Sequence, residues 1–192
     1  MSVLHVSIKR LALLIFVVAP VAAWALVKPV RVIAPELVGI SCNQTSVCVE
    51  ELSTREAANK LYAEGTAFVS QSISPLAEAP RVVFCSTEAC ANAFGLGARS
   101  AVTVGAFGTV IGPHAWKAYY VRHELIHHLQ GQRMGVLQRM FKPTWFVEGM
   151  AYSLSQDPRF PLAQPWESHR SRFNAWYGTI AKDHLWQEAS KL

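Results

Sequence analysis

With 192 residues, the chain is long enough for one domain with a buried core and too short for two ordinary ones. Apolar residues make up 51% against 16% charged, which excludes a disordered chain. The net charge of +5 falls to +3 when Lys9 and Arg10 are set aside, leaving 16 basic against 13 acidic residues, and no Lys/Arg run is interleaved with aromatics, so nucleic-acid binding has no support.

The N-terminus is the first element. Met1 to Arg10 ends in Lys9-Arg10 and leads into "LALLIFVVAPVAAWALV", seventeen uncharged residues from Leu11 to Val27. Basic residues before an apolar block at this position mark an export segment, so residues 1–28 are predicted to be a signal peptide or a membrane anchor. "AWA" at Ala23 to Ala25 has the small-x-small form of a cleavage site, whereas seventeen apolar residues reach the lower limit for a hydrophobic helix that crosses a bilayer. Residues 29–192 are therefore expected outside the cytoplasm, periplasmic or extracellular, secreted or tethered to the membrane through the N-terminal segment.

Beyond the leader, "VRVIAP" reads as a short strand ended by Pro35, and "SVCVEEL" as another. Ser53 and Glu56 have capping-box spacing, and Ala57, Ala58, Leu61, Tyr62 and Phe68 recur at helical spacing, predicting a helix from Thr54 to Gln71. "RVVFCS" is a buried-type strand, "TEACANAF" a short helix, and "GLGARSAVTVGAFGTVIGP" two strands turning near Gly105. Pro113 suits the first turn of a helix that runs from Ala115 to Gln130, with Gly131 as its stop. After the connection "MGVLQRMFKP", Thr144 can cap a helix over "WFVEGMAYSLS" that ends before Asp157-Pro158. Trp166, Phe173, Trp176, Tyr177, Leu185 and Trp186 then indicate one or two packed helices whose aromatics fill the core. The mixture assigns residues 29–192 to one α+β domain. Four cysteines stand as two close pairs, Cys42/Cys48 and Cys85/Cys90; behind an export segment they read as two local disulfides, because five and four intervening residues suit a four-cysteine zinc site poorly.

"VRHELIHHLQ", Val121 to Gln130, crowds three of the chain's seven histidines beside a glutamate. On a helix each residue turns about 100°, so His123 and His127 project from one face and can meet one ion, while His128 points away. Glu124 lies one position round, able to reach the ion's open side without ligating it. This is H-E-x-x-H, in which two histidines bind zinc and the glutamate acts as general base. A catalytic zinc needs a third protein ligand, and Glu148 in "TWFVEGMAY", twenty-one residues after His127, is the candidate.

"HELIH" followed by "WFVEGMA" resembles the gluzincin branch of the zincin-like metallopeptidases, the thermolysin and aminopeptidase type, over roughly Ala101 to Tyr152. The resemblance implies a small mixed sheet packed on an active-site helix, with Zn2+ held by His123, His127 and Glu148, and Glu124 as catalytic base. It further implies a peptide or protein substrate laid along the sheet edge "AVTVGAFGTVIG". Ser153 stands where the thermolysin subgroup has an acidic residue that holds a zinc histidine, so that support must come from elsewhere, Asp157 being one candidate. Tyr152, His169 and Tyr177 are available to stabilise an oxyanion, and no spacing selects one. Two other readings stay open from the residues: an inactive module with a structural zinc, and a metal-free envelope interaction module.

Overall fold

A computed structural model describes residues 8–44 and 46–192 of the chain. Met1 to Ser7, part of the predicted leader, lie outside the described residues. The apolar block is helical in three consecutive pieces: α1 (Ile8–Leu13), a π-helical turn (Leu14–Val18) and α2 (Ala19–Leu26). Among the described residues no helix is long and apolar enough to cross a membrane.

The chain is α+β. Its five-stranded sheet has the order β1 (Ser41–Cys42), β2 (Val47–Val49), β3 (Val82–Phe84), β5 (Gly108–Ile111), β4 (Ala101–Val104). The pairs β2/β3 and β3/β5 are parallel, while β1/β2 and β4/β5 are antiparallel, leaving β4 as an edge. Both faces are covered, and period-two alternation sorts the side chains between them. Val47, Val49, Val82, Phe84 and Ile111 enter the larger core, whereas Cys48, Val83 and Val110 enter a smaller one with Val32, Ile40 and Phe94.

The smaller core accounts for one departure from expectation. "VRVIAP" is not a strand; Lys28–Ile33 forms a 3-10 helix that lays Val32 over the sheet. Pro29 at its start lacks an N–H for a ladder, and Arg31 pins the segment by donating to the carbonyls of Ala25 and Ala93. Next to it, α4 (Glu88–Ala93) starts at Thr87, whose hydroxyl accepts from the Cys90 N–H. The disulfides Cys42–Cys48 and Cys85–Cys90 are both local, the first across directly opposed residues of β1 and β2.

On the larger face, α3 (Arg55–Ser72) and α5 (Ala118–Met134) pack against the sheet and each other. The predicted capping box at Ser53 and Glu56 does not form: Leu52–Thr54 is a 3-10 turn, and no side chain caps α3. Arg122 of α5 pairs with Glu64 of α3 and lies 4.1 Å over the Phe68 ring. The helix α5 also continues through Gly131 to Met134 and stops at Gly135, which has φ of 82°. Gly131 does not stop the helix, and an added Cβ there would make only ordinary contact, 3.4 Å from the Gly105 carbonyl oxygen.

Then follow α6 (Val136–Phe141), α7 (Thr144–Leu154), α8 (Trp166–Tyr177) and α9 (Leu185–Ser190). Thr144 is the first residue of α7 and makes no side-chain cap. The α7–α8 contact is aromatic: Phe146 meets Phe173 at 6.1 Å and Trp176 at 5.4 Å between ring centroids, with both phenylalanines fully buried. The backbones approach so closely at Gly149 that a Cβ there would stand 2.3 Å from the His169 carbonyl oxygen and 2.7 Å from Phe173 Cβ. Gly149→Ala is therefore expected to push α7 from α8 at a cost of about 1–3 kcal/mol, lowering Tm by several degrees in a calorimetric melt; an unchanged Tm refutes this tight contact.

Candidate metal centre

The helix α5 presents three different faces. Val121, Leu125 and Leu129, four apart, go into the larger core. His123 and His127, also four apart, look toward α7, and Glu124 looks toward the edge strand β4. One helix thus anchors itself by one stripe and carries chemistry on the next.

The two imidazoles and Glu148 meet. Their nearest ring nitrogens, both Nε2, are 3.1 Å apart, and the Glu148 carboxylate stands 3.7 Å from His123 Nε2 and 3.5 Å from His127 Nε2. All three ligand atoms lie within 4.8 Å of one another, so this cluster could hold a metal ion. Two bare nitrogen lone pairs at such a separation repel unless a proton or another cation lies between them. Charge sharing follows the same demand. Burial works against a charged Glu148, yet hydrogen bonds and charge from both histidines hold its carboxyl far below the usual carboxylate range. Burial likewise opposes a charged His127, but the Glu148 hydrogen bond and charge, with Glu124 and Gln130, raise its pKa above the ordinary value.

Gln130, fully buried, fixes the His127 ring. Its amide Nε2 donates to the Val147 carbonyl at 2.9 Å, so its Oε1 must accept from His127 Nδ1, also at 2.9 Å. That leaves His127 Nε2 as the nitrogen facing the cluster. The relay also ties α5 to the residue just before Glu148. Position 130 is three beyond His127 on the same helix face, a periodicity that could have exposed it in the sequence. Asp157, the candidate for this supporting role, is instead paired with Arg159, and Ser153 bonds Asn174. His128, as its angle implies, faces away and bonds Gln132 at 3.0 Å.

Glu124 is buried but stays outside the three-residue cluster. Its Oε2 accepts from the Thr103 hydroxyl at 2.8 Å, and Thr103 is itself 2.9 Å from the Thr109 hydroxyl of β5. Nothing in the spacing of residue 103 relative to 124 announces this contact, which the sheet register creates. Glu124 and Thr103, with His123, His127 and Glu148, line a cleft of about 650 Å³ between the β4 edge, α5 and α7, which Arg139, Tyr152, Arg159 and Trp166 also border. Among the three oxyanion candidates, Tyr152 lies in it, its ring 4.4 Å from that of His123. Burial, then the Glu148 charge, pushes its phenol up to about 12. Tyr177 stacks on Phe173 at 5.2 Å and His169 packs beside Trp166 at 5.9 Å, and neither lines the cleft. The tail aromatics mostly fill the core as expected, with Trp166 as the exception.

Replacing Gln130 by leucine removes the acceptor for His127 Nδ1 without emptying the space. Divalent-metal affinity, measured by competition with a chromophoric chelator, is expected to fall about 10–100-fold. Unchanged affinity would show that the carboxamide does not orient the ring.

Comparison with family models, curated proteins and solved structures finds no match to this chain.

Proposed function

We propose that the protein is a zinc-dependent peptidase with a gluzincin-like, zincin-type active site. The carrying observation is the convergence of His123, His127 and Glu148, with Glu124 buried beside them and held off the cluster by Thr103. Donors about 2.0–2.2 Å from a tetrahedral zinc stand about 3.3–3.6 Å apart. The two Nε2 atoms, 3.1 Å apart, stand close to that spacing, and the Glu148 carboxylate approaches His127 Nε2 at 3.5 Å with one oxygen and His123 Nε2 at 3.7 Å with the other. Two imidazoles and one carboxylate, with no fourth protein ligand grouped among the described residues, are the donor set of an open catalytic site.

Bound there, zinc supplies the acidification of a water molecule toward a pKa of about 7 and the polarisation of the scissile carbonyl. The chain's own residues do the rest. Glu124 takes the proton of the attacking water and delivers it to the leaving amine. Thr103, by donating to Oε2, keeps that carboxylate turned to the cleft and leaves its other oxygen free. Tyr152 donates its phenolic hydrogen to the developing oxyanion. The edge strand β4 offers unpaired backbone groups along which an extended peptide can lie. Two disulfides support action in an oxidising compartment, and we place the domain outside the cytoplasm, exported or tethered by the N-terminal apolar segment.

Glu124→Gln is expected to keep zinc, by elemental analysis, and to lose about 10²–10⁴-fold in hydrolysis of a peptide library. A variant that retains the parental rate removes this reading. Tyr152→Phe should lower kcat about 10²–10³-fold with KM little changed; a preserved kcat would take the phenol out of the reaction.

A further inference from the structure

The cleft is lined by four cations, Arg99, Arg139, Lys142 and Arg159, against two carboxylates, Glu124 and Glu148. Only Arg159 among the four has an ion-pair partner among the described residues, Asp157. The others spend hydrogen bonds on backbone carbonyls: Arg99 on Gly95 and Leu96, Arg139 on His127, Lys142 on Ser190. A carbonyl satisfies an N–H but leaves the cation's charge uncompensated.

Arg139 is the most telling. It is half-buried on α6, and its Nη1 donates to the His127 carbonyl at 2.9 Å, which places the guanidinium beside one member of the His123–His127–Glu148 cluster. Glu148 and Glu124 line the same cleft. Those carboxylates are already committed, Glu148 to the imidazoles and Glu124 to Thr103. A divalent cation in the cluster would make the cleft more positive still. A guanidinium carries five donors, and a single carbonyl contact leaves the fork available for a carboxylate.

Resting on the peptidase reading, we propose that the cleft selects substrates with a carboxylate beside the scissile bond, held by Arg139 with Lys142 adding charge on the same side. The carboxylate comes from an Asp/Glu side chain or from a peptide C-terminus. A lysine there is disfavoured by like charge.

The test uses the zinc-loaded full chain and matched peptides with Glu, Gln or Lys beside the cleaved bond, each with a free or an amidated C-terminus. The expected result is a kcat/KM about tenfold or more higher for Glu than for Gln, or for the free than for the amidated terminus, which also tells the two carboxylate sources apart. In Arg139→Gln that ratio, taken within the variant so that any general loss cancels, should fall to about one, and Arg139→Lys should restore part of it. Equal rates for all peptides in the parent overturn the proposal, as does a ratio untouched by Arg139→Gln. The same ratios are read from fluorescence-anisotropy binding to zinc-loaded Glu124→Gln protein. Absent turnover with an acid preference retained in binding would sink the peptidase reading alone, whereas equal affinities would sink the carboxylate site.

Discussion

Two imidazole nitrogens pressed to 3.1 Å, with a carboxylate facing both, form an arrangement that is unstable without a shared positive charge. Isolated in water these groups would separate, since each is better hydrated alone. Here burial and packing hold them together, and their mutual hydrogen bonds and charges raise His127 and depress Glu148. The fold therefore keeps a cation-shaped demand in place. The ordering of the three side chains is set by the fold itself.

Holding that geometry falls to elements some distance from it. The α5 position is set by its apolar stripe against the sheet and α3, reinforced where Arg122 meets Glu64. The helix α7 is located by the Phe146–Phe173–Trp176 cluster and by backbone contact at Gly149, the residue after Glu148. The Glu148 carboxylate is thus aimed by the α7–α8 contact, and the Gln130 amide cross-links α5 to α7 at the level of the cluster. Disturbance of α8 is felt at the cluster through one helix.

How much of this was legible depends on how local each relation is. His123 and His127 follow from helix pitch alone, because four residues always return to the same face. Glu148 is a candidate because a catalytic zinc needs a third ligand, and the resemblance adds to it; no periodicity relates residues on different helices, and the structure brings it to the imidazoles. Thr103 was invisible because its contact with Glu124 arises from the pairing of β4 with β5 and the crossing of α5 over that edge. Errors had equally specific origins. The alternation in "VRVIAP" suits a strand, but tertiary packing of Val32 and two prolines decided for a 3-10 helix. Gly131, the first glycine after the histidines, reads as the stop, but the helix ends at Gly135, whose φ of 82° favours glycine.

Arg139 shows why one side chain can serve both architecture and recognition. Its bond to the His127 carbonyl fastens α6 to the turn of α5 that carries that histidine, a contact that needs one donor of five. A neutral amide would make the same bond. At this half-buried place burial opposes the guanidinium charge, while the charges of Glu148 and Glu124 favour it without a direct ion pair. The architectural bond uses one donor, so the rest of the guanidinium fork stays available at the cleft that Arg139 lines.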